Sequence, residues 1–241
     1  MRWRLIRDGT GRSGAENMAT DVELLQRADA TGDAFLRLYW FDPPCLSFGR
    51  NEDTSGYDRA AIERLGLDVI RRPTGGGSVW HEHELTYAVA APISTFGSLR
   101  AAYRTIHERL AAALRAIGVD AQLAPDRLTA RPPDRRSSCF AKAVGGEVLV
   151  AGRKVIGSAQ VRRGGAFLQH GSILLGGSQA MVRVVSRQSS VVGNETTLAA
   201  VLGRRVSFEE VADAIVAAWG SDLAPLGRRL NLRRHADTSI A

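Results

Sequence analysis

Little cysteine and no long apolar run set the first limits on this chain. Its 241 residues contain two cysteines, Cys45 and Cys139. Neither belongs to a Cys-x-x-Cys pair, so no disulfide framework is expected, and free thiols fit a reducing compartment. No apolar run is long enough to span a bilayer. Met1-Arg2-Trp3-Arg4-Leu5 is not followed by the apolar core of a signal peptide, so the expected location is the cytoplasm, with no membrane partner. The two common phosphate loops are missing as well. No Gly-x-Gly-x-x-Gly opens a helix, and no Gly-Lys-Ser/Thr follows a glycine after four spacers. There is no internal repeat, low-complexity tract or long linker. The economical reading is one mixed α/β domain over residues 1–226 and a basic tail at 227–241.

An apolar fraction of 44% is ordinary for a globular protein and supports a sizeable core. The formal net charge of +7, carried mostly by arginine, favours an acidic partner. Nucleic acid is not expected, because no helix-turn-helix precedes Glu16 and no aromatic–basic interleaving occurs.

Periodicity predicts helices over Glu16–Ala30, Tyr57–Leu65, Leu99–Ile117, Gln179–Val185, Thr197–Leu202 and Ser207–Trp219. The last starts with the capping-box pattern Ser207-x-x-Glu210. Strands are predicted at Phe35–Trp40, at Leu67–Ile70, at Tyr87–Ala91 and at Val119–Leu123. Cys45–Gly49 reads as the strand that returns after the turn at Asp42-Pro43-Pro44. Glu147–Val150, Lys154–Val161 and Ala166–Leu175 read as a three-strand meander, with a hairpin at Ala151-Gly152-Arg153. Residues 124–138 hold three prolines and four arginines and read as an exposed loop.

The chemistry concentrates between Arg71 and Thr86. Three successive glycines, Gly75, Gly76 and Gly77, cost backbone entropy and commonly mark a backbone that lies against a ligand. Arg71 and Arg72 precede them, and His81 and His83 follow. Two histidines two apart on a strand share a face, but His107 and His170 fall in other elements, so no metal is expected. Cys139 stands between an arginine-rich segment and the meander, where nearby positive charge would lower a thiol pKa. Lys154 opens the second meander strand. A cysteine with a lysine suits acyl transfer, the thiolate attacking and the ammonium offering charge to the oxyanion. Cys45, among apolar neighbours, is expected to be a buried small hydrophobe.

Arg71-Arg72-Pro73-Thr74-Gly75-Gly76-Gly77-Ser78-Val79-Trp80-His81 resembles the motif of the lipoate-protein ligase and octanoyltransferase family. Three further stretches add to the likeness: Glu16–Asp21, Phe41–Pro44 with Ser47–Arg50, and Gly152-Arg153-Lys154-Val155-Ile156-Gly157-Ser158-Ala159-Gln160 with Leu168–Leu174. The resemblance runs over about residues 15–220 and implies an α+β fold shared with biotin-protein ligases and class II aminoacyl-tRNA synthetases, a mixed, mostly antiparallel sheet flanked by helices. Cys139-Phe140 before the lysine hairpin resembles the cysteine-dependent octanoyltransferase branch. That branch implies Cys139 as nucleophile and Lys154 as its partner. Arg72, Gly75, Gly76, Gly77, His81, Gly157 and Ser158 would bind substrate. The implied donor is octanoyl-acyl carrier protein, and the implied acceptor a lipoyl-domain or glycine cleavage H-type protein, with no cofactor. Two alternatives stay open: an ATP- and Mg-dependent lipoate-protein ligase, and a basic binding module without catalysis.

Overall fold

The computed structural model describes residues 3–125, 140, 145–187, 193–220 and 223–225. Its centre is a six-stranded sheet in the order β10-β11-β6-β2-β1-β12. These strands are β1 (Trp3–Arg7), β2 (Ala34–Tyr39), β6 (Glu84–Pro92), β10 (Ile156–Arg163), β11 (Ala166–Leu174) and β12 (Leu223–Pro225). The pairings β10–β11, β11–β6 and β6–β2 are antiparallel, and β2–β1 and β1–β12 are parallel.

Alternation along the central strands builds two cores. Leu85, Tyr87 and Val89 of β6 face one side, with Leu36 and Leu38 of β2. Helices α3 (Leu99–Ala116) and α6 (Phe208–Trp219) cover that side through Ile106, Leu110, Val211 and Ile215. Fully burying each such aliphatic side chain contributes about 1.5–3 kcal/mol. Phe35, Ala88, Ala90 and Leu168 face the other side and meet Leu24, Leu25 and Ala28 of α1 (Gly14–Thr31). Both faces of the sheet are buried, which is why its strands read as nearly continuous apolar runs.

Local sequence explains the helix ends. Ser13 and Glu16 form a reciprocal capping box at α1, and Gly32 closes it at φ 73°. Ser98 caps α3 on the Ala101 N–H. At α6 only half of the predicted box forms. Ser207 accepts from the Glu210 N–H, while the Glu210 carboxylate turns to Arg204.

Two small sheets flank the large one. β3 (Cys45–Phe48) lies between β4 (Asp68–Arg71), parallel to it, and β5 (Val79–His81), antiparallel to it. This corrects the expectation that Cys45–Gly49 folds back on the preceding strand. β2 already has β1 and β6 on its two edges, so β3 must find other partners. β7 (Ala121–Leu123), β8 (Val148–Val150) and β9 (Arg153–Lys154) form the third sheet. The meander is corrected too. Val155 is buried in the main core, and the expected single strand breaks there into β9 and β10, which belong to different sheets. Lys154 thus ends one sheet two residues before the next begins. Short helices α2 (Arg59–Arg64), α4 (Ala180–Val185) and α5 (Leu198–Leu202) complete the order. The arginine-rich stretch after residue 125 and the tail at 227–241 lie outside the described residues.

Candidate active site

The glycine-rich loop connects β4 to β5 and is held by its own arginine. Arg72 donates to the Gly75 and Gly77 carbonyls at 3.2 and 2.8 Å, to the Ser47 carbonyl at 3.0 Å and to Ser47 Oγ at 2.6 Å. The planar, multi-donor guanidinium suits this task, which lysine could not repeat. Gly76 has φ 90°, and a Cβ on Gly49 would lie 1.9 Å from the Gly76 oxygen. Glycine at 49 is therefore what lets the two backbones touch. Buried Glu52 ties the far side, accepting from the Gly49 N–H at 2.8 Å and the Ser78 N–H at 3.0 Å.

A second set of bonds pins the loop to the main sheet. Arg37 is fully buried and donates to Asp8 and Asp21 at 2.7 and 2.8 Å. Asp21 also accepts from Tyr39 at 2.8 Å and from His170 Nδ1 at 2.9 Å. Burial pushes the Asp21 carboxyl up, but the His170 bond and the Arg37 charge outweigh it, leaving it below its ordinary value. Burial also lowers the His170 pKa, so the ring is neutral and Nε2 accepts the Thr74 hydroxyl at 2.6 Å. Thr74 thereby locks the loop onto β11, across 96 positions of sequence.

A cavity of about 320 Å³, counting its open mouth, lies between this loop, α1 and strands β10 and β11. Met18, Tyr39, Phe41 and Val79 supply its apolar wall, and Arg72, His81, Thr86, Ser158, His170 and Ser172 its nominally polar wall. Most of those polar atoms are engaged inside the protein. His81 donates from Nδ1 to Glu84 at 2.7 Å and its Nε2 lies 2.6 Å from Ser47 Oγ, while its ring stacks on Phe41 at 4.1 Å. Thr86 donates to the same Glu84 carboxylate. With its imidazole nitrogens committed, the cavity presents mainly carbon to a ligand.

Of the sequence-derived site residues, Arg72, His81, Gly157 and Ser158 stand in this wall, while Gly75, Gly76 and Gly77 do not, the Gly75 and Gly77 carbonyls accepting from Arg72. Lys154 is buried beside the cavity rather than in its wall. Its Nζ donates to Glu147 Oε1 at 2.6 Å and sits 5.7 Å from the Phe140 ring centre. The same ring explains Gly157, where a Cβ would come within 2.8 Å of it. Cys139, the residue before Phe140, lies outside the described residues. Cys45 is fully buried, and burial and the Asp68 charge push its thiol far up, away from reactivity. His81 is buried and His83 exposed, since residues 82 and 83 form a bend and not the shared strand face expected. Among the described residues, no three His, Cys, Asp or Glu side chains are grouped to hold a metal.

Glu52, Glu84, His107 and His170 carry much of this geometry and drew no role from the sequence. His107 on α3 donates from Nδ1 to the Gly146 carbonyl at 2.7 Å, and its Nε2 lies 2.8 Å from Ser158 Oγ. Burial, with the nearby Lys154 charge, drops its pKa to about 4, against a backbone bond that favours protonation. An unfolded histidine titrates near 6.5, so between pH 6.5 and 4 the unfolded chain takes up the proton and the folded one does not. Stability should therefore fall as pH is lowered through that window. His107 alone contributes about 3 kcal/mol of the fall. Urea midpoints at pH 7 and 4.5 check this. The drop should be smaller in His107→Gln by most of that amount, and an equal drop in both proteins would refute it.

This loop, buried lysine and apolar cavity are carried on the mixed-sheet fold shared by lipoyl protein ligases and octanoyltransferases. Residues 13–220 match the family model described as lipoyl protein ligase A/B catalytic domain, and the chain belongs to that family. Among its relatives, octanoyltransferase LipM of Symbiobacterium thermophilum is 38% identical over 238 residues, spanning 92% of this chain and 86% of that protein. Octanoyltransferase LipM of Kyrpidia tusciae is also 38% identical, spanning 95% of this chain and 88% of that protein. A solved lipoate-protein ligase A bound with ATP has the same fold, with a TM-score of 0.72 at 20% identity, covering 95% of this chain and 90% of that one. A bipartite lipoate protein ligase from Thermoplasma acidophilum superposes with a TM-score of 0.71 at 20% identity, covering 95% and 88%.

Proposed function

We propose that this chain is an octanoyltransferase of protein lipoylation. It moves an octanoyl group from acyl carrier protein, through a thioester on Cys139, to a lysine of a lipoyl-type acceptor domain such as glycine cleavage H protein. The observation that carries the reading is the apolar cavity beside the buried Lys154–Glu147 pair. Its nominally polar wall is largely saturated from behind, so it fits an acyl chain better than a polar ligand. Relatives named octanoyltransferase at 38% identity over most of both chains support the same reaction.

In the first half-reaction the Cys139 thiolate attacks the donor thioester, and the carrier's phosphopantetheine thiolate leaves. In the second, the acceptor amine attacks the octanoyl-enzyme, forms the amide and releases the thiol. Lys154 supplies positive charge near the reacting sulfur and the oxyanion. Neither step draws on a nucleotide or metal. Cavity depth sets chain length, with up to about 0.8 kcal/mol of discrimination per methylene. A net charge of +7 suits an acidic carrier. A free catalytic thiol needs a reducing compartment, so the proposal places the enzyme in the cytoplasm.

Intact-protein mass spectrometry after mixing with octanoyl-acyl carrier protein, without ATP, tests the reading. The expected product is a hydroxylamine-sensitive octanoyl adduct that maps to Cys139. No adduct, with ATP-dependent acylation of a lipoyl domain from free octanoate or lipoate, would instead make the chain a ligase.

A further inference from the structure

Among the described residues, three large apolar side chains are exposed: Leu65, Val69 and Val184. One exposed aliphatic residue is ordinary, but these three stand on elements around a single small core, built from Leu46, Phe48, Trp80, Val182 and Val185. Leu65 caps the end of α2, and Val69 follows on β4, just past the turn at Gly66. Val184 is on α4, which packs against α2. Register fixes the direction of β4. Val69 pairs with Leu46 and Arg71 with Phe48, so Val69 and Arg71 share the outer face of the small sheet with that core.

The charge around this patch is one-sided. Arg59 and Arg64 on α2 and Arg71 on β4 are exposed. Arg71 donates to the Gly49, Arg50 and Glu52 carbonyls, which fix its charge without neutralising it. Arg183 and Arg187 add two more, facing Glu195 at 3.6 Å and Asp58 at 3.5 Å. Glu63 is exposed on α2, while Asp68 turns away to accept the Gly14 N–H at 2.9 Å. Five arginines thus stand against Glu63, Asp58 and Glu195, and an apolar patch in such a ring fits an acidic protein.

We propose that this patch docks the acyl carrier protein that delivers the octanoyl group. The inference rests on the transferase reading and gives its donor a landing surface. Position selects the carrier over the acceptor domain. Val79 and His81 line the cavity from the inner face of the same small sheet, so patch and cavity lie on opposite sides of one layer. A carrier holds its acyl group on a long flexible pantetheine arm and reaches round that layer. An acceptor lysine is short, so its domain must sit at the cavity mouth itself.

The test compares octanoyl-acyl carrier protein with S-octanoyl-pantetheine, which has the same thioester and no protein to dock. The readout is the ratio of their kcat/KM values for enzyme acylation, in which damage to the cavity cancels. Arg59→Glu with Arg64→Glu should lower this ratio by at least about tenfold. Leu65→Ser with Val69→Ser, which keeps every charge, should lower it by about fivefold. These exposed positions leave the fold intact. An unchanged ratio overturns the inference and leaves the transferase reading in place. So does slower transfer from isolated octanoyl-enzyme to a lipoyl domain with carrier acylation unaffected, which gives the patch to the acceptor. A dimer in sedimentation that the serine variant dissociates gives the patch to a second copy and overturns it too. A parent enzyme acylated by neither donor overturns both readings.

Discussion

Replacing Cys139 by serine should slow octanoyl transfer by at least about a thousandfold and abolish the hydroxylamine-sensitive adduct. The argument is one of nucleophile chemistry. A thiol titrates near 8.5, and positive charge beside a thiol lowers that value and raises its thiolate fraction. A serine hydroxyl titrates far higher and needs a strong adjacent base. The imidazole of His107 is committed to the Gly146 carbonyl and Ser158, and that of His170 to Asp21 and Thr74. Both rings have their two nitrogens engaged, so neither is free to serve as that base. Cys45→Ser serves as the control. That thiol is fully buried, and desolvation pushes it far from ionisation, so its loss should leave the adduct in place. The measurement is a single-turnover rate from octanoyl-acyl carrier protein to a lipoyl domain, followed by intact mass. Full activity in Cys139→Ser with ATP and free acid would move the chain to the ligase class and make Cys139 structural.

Local signals in the sequence reach the helices, the hairpin at Gly152 and the glycine loop, because caps, turns and periodicity act over a few residues. They do not reach partners. Cys45–Phe48 was legible as a strand, but its neighbours are β4 and β5, and that depends on β1 already occupying the edge of β2. β1 itself went unread: five residues with two arginines give no clear alternation, and parallel pairing with β2 supplies what the local pattern lacks. The same holds in the site. Arg72 and His81 are visible beside three glycines, yet their targets are a serine on β3 and a glutamate at the start of β6. His107 and His170 carry no local motif at all. They matter because α3 and β11 deliver them to Ser158 and Thr74 from 51 and 96 positions away. Lys154 shows the limit most clearly. Its sequence reads as the start of one long strand, and its burial comes from the break at Val155 that sends the chain from one sheet to another.

That burial makes Lys154 the second test. Lys154→Met should abolish most transfer and also destabilise the fold, and the two losses have separable causes. Lys154 and Glu147 are 2% and 3% exposed, so removing the ammonium leaves a desolvated carboxylate. Breaking a buried pair from one side costs about 3–5 kcal/mol. The lower end is expected here, because Tyr103 still reaches Glu147 at 3.5 Å. Replacing both partners by neutral groups removes the stranded charge. Lys154→Met with Glu147→Gln should therefore recover most of the lost stability, read as the urea midpoint at constant m-value. Activity should not recover with it. The octanoyl-enzyme would still form without a cation near the sulfur and the developing oxyanion, and the rate should remain at least about a hundredfold below the parent. Recovery of both quantities would assign Lys154 to the fold alone. Stability recovered without activity assigns its charge to the reaction.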